Sequence, residues 1–340
     1  MENIIIIGLL TTFFALSYQL LFRKIYTRLN LHVLIDKRSS HSSKVTATGG
    51  IATFLAIFST TLYFYFTTYE QPYDYSILLP LSILFITGVI DDLQNTSYKI
   101  KLVLQIIAAK LLVDQGLVLD EIYLTNGIVS LNYFIAQLLT GFLFISIVNA
   151  LNFIDGLDGL AISFSLFFLI TISILSQNNP LFYYNVSLLF ALVIGLVFNF
   201  QKNGKVFLGD SGSLFLGGSI AINVLQLLEP SVRLNFNLDP NKFLLVGLLI
   251  FYPLIDITQT VLGRLLQKKS PFAPDRSHLH HLLLDKIKSH SKTVVLLMSL
   301  CVLYLLIGMG IWQVFDEWGI IFWLMLSCLI LFKGIRPKKD

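Results

Sequence analysis

Long apolar stretches, separated by short polar ones, run through the whole of this 340-residue chain. Each stretch has about the 17 to 25 residues that a helix needs to cross roughly 30 Å of hydrocarbon. The pattern predicts an all-α, polytopic membrane protein that forms a single domain over residues 1–340. Its eleven predicted spans are 3–22, 49–69, 74–90, 102–119, 134–153, 159–176, 180–199, 207–228, 242–262, 293–311 and 318–334.

Composition agrees with this pattern, because 55% of the residues are hydrophobic and only 13% are charged. A soluble domain of this size does not need that balance to fill its core. The first apolar stretch lacks the basic start and the small-residue cleavage site of a signal peptide, so we expect it to be retained as a helix. Cys301 and Cys328 fall inside predicted spans and indicate neither a disulfide nor a metal cluster. Lys110 and Asp114 stand four residues apart in the fourth span and are predicted to pair.

Positive charge is concentrated in alternate loops. The loops at 23–48, 91–101, 199–206 and 263–292, together with the C-terminal tail, hold nearly all of the Lys and Arg residues. The short loop at 149–158 falls on the same side but has neither. Loops of the other side show only Arg233 and Lys242. The positive-inside rule then places the first side in the cytoplasm, with the N-terminus outside and the C-terminus inside.

Two adjacent carboxylates, Asp91 and Asp92, end the third predicted span, and Lys101 and Gln105 follow on one face of the next helix. Acidic residues are costly beside hydrocarbon, and those retained there usually face a polar cavity. Because the two carboxylates repel each other, one of them suits a general base or a cation ligand. The alternative is an ordinary polar turn between helices.

A second cluster, Asn152, Asp155 and Asp158, lies in the loop that contains no Lys or Arg. The three residues are spaced by three, so in a helical turn their oxygens would converge on one face. Such a face could hold a hard cation or a ribose and base. The alternative is that these residues only cap helices and form turns.

A third cluster runs from Gly209 to Ser213 and includes Asp210. Its glycines permit close backbone approach, and the helix that follows offers N-terminal amides to an anion. Asp210 supplies an oxygen ligand of the kind that Mg²⁺ prefers. The alternative is a capped helix start with Asp210 or Ser211 as the cap.

The fourth cluster, in the largest basic loop, contains Arg276, His278, His280 and His281. Three histidines within four residues could indicate zinc, but no Cys or acidic residue completes a tetrahedral set at a familiar spacing. Imidazole and guanidinium groups directed at a diphosphate are the better interpretation, because charge-assisted donors neutralise phosphate oxygens.

Two weaker signals remain. Gly49 and Gly50 begin the second span after Ser39 and His41, and these glycines permit tight helix packing. Asp256 lies toward the cytoplasmic end of the ninth span, where it either lines the same cavity or pairs locally.

In this order, the motifs resemble those of the polyprenyl-phosphate N-acetylhexosamine-1-phosphate transferase family. The resemblance covers most of the chain and implies that family's fold of ten or eleven transmembrane helices. Thr46 departs from the pattern, since family members often have Pro there. The resemblance rests on Asp91-Asp92 through Lys101 and Gln105, on Asn152 to Ala161, on Gly209 to Ser213 and on His278-Leu279-His280-His281.

The resemblance also implies roles for individual residues. Asp91 or Asp92 would act as the base, with Asp155 near the catalytic centre. Asp210 and Asn152 would hold Mg²⁺, for which Mn²⁺ could substitute. The substrate-binding residues would be Lys101 at a phosphate, Asp158 near the uridine, and Arg276, His278, His280 and His281 at the sugar diphosphate.

The implied reaction transfers an N-acetylhexosamine-1-phosphate, in the first place N-acetylglucosamine-1-phosphate, from a UDP-sugar to undecaprenyl phosphate and releases UMP. The stretch Ser270 to His281 looks like the branch that begins O-antigen, common-antigen or teichoic-acid linkage synthesis. The alternative branch, the phospho-N-acetylmuramoyl-pentapeptide transferases of peptidoglycan synthesis, shows three consecutive histidines, which Leu279 interrupts here. The expected partners are a UDP-N-acetylhexosamine, a polyprenyl phosphate, the lipid bilayer and a second copy in a homodimer, with no nucleic acid.

The expected setting is the inner membrane of a bacterium, with the active site on the cytoplasmic face. The lipid phosphate could attack the β-phosphorus directly, or an aspartate could attack first and form a covalent intermediate. A secondary transporter is a rival interpretation, but the acidic residues gather on one side and no inverted repeat is visible. A scaffold without activity is a second rival, although every expected carboxylate is present.

Overall fold

The structure, a computed structural model, describes residues 2–31, 45–68, 72–124, 127–177, 179–201, 203–235, 241–270 and 278–333. Helices dominate these residues, which confirms the predicted architecture of a helical, polytopic membrane protein. The helices are α1 (Glu2–Arg28), α2 (Gly49–Thr67), α3 (Leu78–Gln94, preceded by the 3₁₀ turn Tyr75–Ile77), α4 (Tyr98–Asp114), α5 (Tyr133–Ile154), α6 (Leu160–Leu175), α7 (Phe182–Phe200), α8 (Gly209–Leu228), α9 (Lys242–Leu249), α10 (Phe251–Leu266), α11 (Leu279–Ile287) and α12 (His290–Lys333).

Each of the eleven predicted apolar segments forms helix, but not every helix is long enough to cross a bilayer. Within the described residues, seven helices meet the length and composition of a span, and the bent pair α9 and α10 raises the number to eight. Helix α6 has 16 residues and α4 has 17, so both fall short. Helix α12 covers two predicted segments and is interrupted at Asp316, which has a non-helical backbone. The count of eleven spans therefore stays a prediction.

The ninth predicted span is broken into α9 and α10, which meet at an angle of 69°. Pro253 explains where the break falls. Proline has no backbone N–H and is tolerated only in the first turn of a helix, so a continuous helix through this position would lose a hydrogen bond. The break turns α10 away from the axis of α9 and directs the polar residues of α10 toward the end of α5.

Helix α8 lies at the centre of the bundle, and 94% of its most apolar 18-residue stretch is buried. Small residues let its neighbours approach closely. A Cβ added at Gly50 of α2 would lie 2.1 Å from the Gly212 backbone nitrogen, and one at Gly88 of α3 would lie 2.3 Å from the Asp210 carbonyl oxygen. These contacts place the ends of α2 and α3 directly against the start of α8, where the third motif lies.

Contacts between loops join the predicted cytoplasmic segments at one end of the bundle. Arg23 donates to the carbonyl of Gly204, and the Phe207 amide donates to the carbonyl of Thr46. At the opposite end, Tyr73 bonds Ser187. The side of the membrane on which each end lies stays a prediction.

Two short sheets were not predicted. Strands β1 (Glu121–Leu124) and β2 (Gly127–Ser130) form one antiparallel pair, and β3 (Ser176–Gln177) and β4 (Arg233–Leu234) form another. Strands of two to four residues are too short for an alternating pattern to be recognised in sequence. Both pairs lie away from the motifs that carry chemistry.

Candidate active site

Lys101 bridges two of the predicted acidic residues. Its Nζ lies 2.5 Å from Oδ2 of Asp91 and 3.5 Å from Oδ2 of Asp210. Asp91 also accepts a hydrogen bond from the Thr96 amide at 2.7 Å, which fixes its carboxylate at the α3–α4 turn. Residues 91, 101 and 210, distant in sequence, therefore form one charged centre at the end of the bundle.

Gln105, predicted to share a face with Lys101, has a different partner. It exchanges reciprocal hydrogen bonds with Asn149 of α5, at 3.2 and 2.7 Å. Reciprocal amide bonds of this kind satisfy two polar side chains that would otherwise be buried without partners. The pair holds α4 against α5 just below the charged centre.

Asp92 caps the start of α8 from the neighbouring helix. Its Oδ1 accepts from the Asp210 amide at 2.8 Å, and its Oδ2 accepts from the Ser211 amide at 3.0 Å. Two predictions for the third motif are thereby corrected. The cap is neither Asp210 nor Ser211, and the anion at these helix amides is a carboxylate of the protein itself.

Asn152, in the last turn of α5, contacts the same centre. Its Nδ2 donates to Oδ1 of Asp210 at 2.9 Å and to Oγ of Ser213 at 2.8 Å. A carboxylate only accepts hydrogen bonds, so the atom of Asn152 that faces Asp210 must be the amide nitrogen. The amide oxygen of Asn152, Oδ1, is then its acceptor atom. The predicted association of Asn152 with Asp210 is present in the fold.

Asp155 is the C-cap of α5 and faces the negative charges of the centre. Burial raises the pKa of its carboxyl well above the usual range, and the charges of Asp210, Asp92 and Asp158 raise the pKa further. A carboxylate in such surroundings is stabilised by a cation or by a proton. This part of the site therefore favours binding of positive charge.

Asp158 does not share a helical face with Asn152 and Asp155, because α5 ends at Ile154 and the loop leaves the helical path. Its carboxylate pairs with Lys205, and Oδ2 lies 3.0 Å from Nδ1 of His290. The predicted convergence of the three residues is therefore wrong for Asp158. Neither partner was predicted from the sequence: Lys205 lies in the loop before α8, and His290 is the first residue of α12.

The histidine motif packs against the loop of the second motif. A Cβ added at Gly156 would lie 2.5 Å from Nε2 of His280 and 3.2 Å from Nε2 of His281. His280 is fully buried, and among the described residues neither of its ring nitrogens has a hydrogen-bond partner. Burial lowers the pKa of its imidazole to about 3, so His280 is neutral near pH 7. The second motif and the histidine motif are therefore in direct contact.

Asp256 contacts His278, the first histidine of the motif. It therefore lies at the same site as the motif, which was one of the two predictions made for it. Its Oδ2 lies 2.8 Å from Nδ1 of His278, and its Oδ1 accepts from the Leu279 amide at 2.6 Å. Thr260 and Arg264 contact the same imidazole, and sequence reasoning missed both. Polar residues spaced by four along one face of an otherwise apolar helix are the signal that could have found them.

Asp256, His278 and His280 also form a group whose ligand atoms lie within 4.8 Å of one another. The acidic residue that the zinc interpretation lacked is therefore supplied by the fold. Two observations oppose a metal here. Both oxygens of Asp256 already accept hydrogen bonds, and the buried guanidinium of Arg264 lies 3.5 Å from Nε2 of His278. A second cation beside Arg264 would be repelled.

Arg276, the remaining predicted binding residue, lies outside the described residues, as do Ser39 and His41. The Gly49–Gly50 motif is described and serves helix packing and backbone pairing. The amides of Gly49 and Gly50 donate to the carbonyls of Phe207 and Leu208, at 2.9 and 2.8 Å. That pairing orients the loop that leads into α8.

The comparisons place this helical membrane bundle, with its acidic, lysine-containing centre at one end, in a class of membrane-embedded transferases. The model of glycosyl transferase family 4 matches residues 74–228, which include Asp91, Lys101, Asn152 and Asp210. The chain is 32% identical over 267 residues to a protein of Bacillus subtilis named as a probable undecaprenyl-phosphate N-acetylglucosaminyl 1-phosphate transferase; the match covers 77% of this chain and 72% of the relative.

Two further relatives extend the match. An undecaprenyl-phosphate alpha-N-acetylglucosaminyl 1-phosphate transferase of Thermotoga maritima is 30% identical, over 87% of this chain and 86% of its own length. A decaprenyl-phosphate N-acetylglucosaminephosphotransferase of Mycobacterium tuberculosis is 29% identical, over 81% and 74%. The chain belongs to the polyprenyl-phosphate N-acetylhexosamine-1-phosphate transferases of glycosyl transferase family 4.

Proposed function

We propose that this protein transfers N-acetylglucosamine-1-phosphate from UDP-N-acetylglucosamine to undecaprenyl phosphate and releases UMP. The names of the relatives support the reaction. The observation that carries it in this chain is the contact of Lys101 with both Asp91 and Asp210, beside Asn152. A lysine and several oxygen ligands at the end of an apolar bundle suit phosphate groups that arrive from water and from lipid.

We propose Mg²⁺ as the cofactor, held by Asp210 and by Oδ1 of Asn152, with Mn²⁺ as a substitute. The donor set fits, because Mg²⁺ binds through one or two carboxylates together with substrate phosphates. The raised pKa of Asp155 supports the same proposal: burial is its main cause, and the negative charges of Asp210, Asp92 and Asp158, which a cation would offset, raise the pKa further. When bound, the ion would polarise the diphosphate and neutralise charge on the leaving UMP.

The side chains then divide into three roles. Lys101 binds a phosphate oxygen. His278, His280 and His281, together with Arg276, hold the sugar diphosphate, and Asp158 supports the uridine end through its loop. Catalysis consists mainly of positioning and charge stabilisation, as in other phosphoryl transfers.

Three carboxylates are candidates for the catalytic base, Asp91, Asp92 and Asp155. Asp91 is paired with Lys101, and Asp92 accepts two backbone hydrogen bonds. Among the described residues, the carboxylate of Asp155 has neither an ion pair nor an N–H donor. Asp155 is therefore the carboxylate that can approach a substrate without first breaking a bond.

In the direct route, a phosphate oxygen of the lipid forms a bond to the β-phosphorus while the bond from that phosphorus to the oxygen of UMP breaks. In the covalent route, a carboxylate oxygen forms a bond to the β-phosphorus while the bond from that phosphorus to the oxygen of UMP breaks and UMP leaves. A phosphate oxygen of the lipid then attacks the same phosphorus and displaces the carboxylate in a second step. A burst of UMP in the absence of lipid would support the covalent route.

The reaction belongs at the cytoplasmic face of a bacterial inner membrane. Undecaprenyl phosphate stays in the bilayer and the nucleotide sugar stays in water, so the two can meet only at their boundary. The centre lies at the end of the bundle to which the positive-inside rule assigns the cytoplasm. Lipid-linked cell-envelope glycans would begin with the product.

The test offers the purified full-length protein a panel of UDP-sugars with undecaprenyl phosphate and Mg²⁺, and identifies the lipid product by mass. We expect undecaprenyl diphosphate N-acetylglucosamine together with UMP. A product formed only from UDP-N-acetylmuramoyl-pentapeptide would support the peptidoglycan branch instead. Movement of a nucleotide sugar across vesicles without UMP release would favour a transporter.

A further inference from the structure

Three polar residues form a stripe on one face of α10, most of which was predicted to be part of a membrane span. Asp256, Thr260 and Arg264 are spaced by four residues and are all buried. Spacing by four places side chains one above another along a helix. All three contact one ring, the imidazole of His278. We name these three residues the α10 stripe.

The stripe fixes the imidazole of His278 at both nitrogens. Nδ1 lies 2.8 Å from Oδ2 of Asp256 and 3.3 Å from Oγ1 of Thr260, while Nε2 lies 3.5 Å from the Arg264 guanidinium. A carboxylate at Nδ1 selects the tautomer that carries a proton there. Ring orientation and tautomer of His278 are thus set from α10.

Asp256 also fixes the backbone of the histidine motif. Helix α11 begins at Leu279, and its N-cap residue His278 makes no side-chain cap bond. Oδ1 of Asp256 accepts from the Leu279 amide and takes the place of that cap. A negative charge at a helix start is also favourable to the helix dipole. One carboxylate therefore holds both the first histidine and the helix that carries His280 and His281.

Phe153 connects the stripe to the acidic centre. The His278 ring stacks on Phe153 with 5.5 Å between centroids, and the Arg264 guanidinium lies 5.9 Å from the centroid of the same ring. Phe153 follows Asn152, which donates to Asp210. The position of the histidines relative to Asp210 is therefore set through packed contacts.

We propose that Asp256, supported by Thr260 and Arg264, is a positioning residue: it fixes His278 and, through the start of α11, places His280 and His281 where the diphosphate of the nucleotide sugar binds. This inference rests on the proposed transfer reaction. Asp256 touches no reacting atom in this account and acts through the histidines. Carboxylates that orient a metal-binding histidine commonly contribute about 10- to 100-fold to affinity or activity, and we expect a comparable effect where the histidine is held for a diphosphate.

The kinetic test compares Asp256→Asn and Thr260→Val with the matched control Thr258→Val. Thr258 lies on the same helix and is exposed, and among the described residues its hydroxyl bonds only the Leu254 carbonyl. Asp256→Asn should lower kcat/KM for UDP-N-acetylglucosamine about 10- to 100-fold, with a raised KM for that substrate and an unchanged KM for undecaprenyl phosphate. Thr260→Val should cause a smaller loss of about 2- to 10-fold, and Thr258→Val should cause none.

Two outcomes of the kinetics would overturn the inference. One is that Asp256→Asn and Thr260→Val match the wild type. The other is a fall in kcat alone, with both KM values unchanged, because loss of folded protein lowers rate without changing affinity. If Asp256→Asn does not fold, Thr260→Val still tests the inference, because it removes one hydroxyl group and has nearly the same side-chain volume as threonine.

Hydrogen exchange gives a readout that needs no activity. Amides 279–282 should exchange faster in Asp256→Asn than in the wild type or in Thr258→Val, and unchanged exchange would contradict the role of Asp256. Metal analysis of the purified protein completes the test, because one zinc per chain, lost in Asp256→Asn, would identify a metal site instead. If amide exchange differs between the variants as expected but the wild type releases no UMP, the proposed function is rejected. The role of Asp256 in holding the histidines then stands.

Discussion

The carboxylate of Asp92 accepts a hydrogen bond from the backbone amide of Asp210, with 2.8 Å between Oδ1 and N. The second oxygen of Asp92 accepts from the next amide of α8. A residue at the end of α3 therefore fixes the residue that we propose as the metal ligand. The two acidic motifs, 118 residues apart, work as one unit.

Asp92→Asn tests this coupling. The variant loses a negative charge and one acceptor at the start of α8, so the free energy of unfolding should fall by about 1 to 2 kcal/mol. UMP release should fall too, because Asp210 loses its anchor. Unfolding in mixed detergent micelles measures the first effect, with Asp114→Asn in an exposed ion pair as the control. Stability equal to the wild type would show that Asp92 does not cap α8.

Lys101→Met tests the bridge between Asp91 and Asp210. The variant keeps most of the side-chain volume and removes the charge, so kcat/KM should fall by about 100-fold or more. Lys99→Met is the matched control, because Lys99 is exposed on the same helix and should tolerate the change. Steady-state release of UMP gives both values. Equal activity of the two variants would remove Lys101 from the site.

Gly156→Ala tests the contact between the second motif and the histidines. Gly156 does not have a left-handed backbone, so the effect of alanine is steric: its Cβ would lie 2.5 Å from Nε2 of His280. Displacing the histidines should lower kcat/KM for the UDP-sugar about 10- to 100-fold. At Gly141 on α5, no atom of the described residues outside the adjoining helix backbone lies within 4 Å of an added Cβ, so Gly141→Ala should behave as the wild type. Normal activity in Gly156→Ala would place the histidines elsewhere.

Much of the fold could be predicted because apolar length and loop charge are local signals. All eleven apolar segments form helix. The break between α9 and α10 was not predicted, although the missing N–H of Pro253 accounts for it. The number of spans could not be settled by the same signals. Helix α4, for example, ends at Asp114, before the end of the span predicted over 102–119, because composition does not determine where a helix ends.

Which residues belong to the site could be predicted from the sequence, but which of them contact one another could not. Asp91, Lys101, Asn152 and Asp210 are recognisable because charged and amide groups beside apolar spans are rare. Their partners depend on which helices pack together. The pairing of Asp158 with Lys205, across the end of the bundle, has no counterpart in local sequence.

Asp210→Asn tests the proposed metal ligand. The variant keeps the shape and the acceptor oxygen but loses the charge that attracts Mg²⁺, so it should insert and fold while Mg²⁺-dependent UMP release is abolished. EDTA should stop the wild type in the same way, and added Mg²⁺ or Mn²⁺ should restore it. A titration of UMP release against Mg²⁺ measures both effects. Full activity in the variant, or in EDTA, would remove Asp210 from a metal site.

The most direct test of the whole account follows the two phosphates of the nucleotide sugar separately. UDP-N-acetylglucosamine with one isotope in the α-phosphate and another in the β-phosphate is given to the purified protein with undecaprenyl phosphate and Mg²⁺. We predict that the β-phosphate label enters the lipid phase with the sugar, while an equal amount of α-phosphate label stays in water as UMP. Release of both labels together as UDP, or sugar in the lipid without the β-phosphate, would contradict transfer of a sugar phosphate.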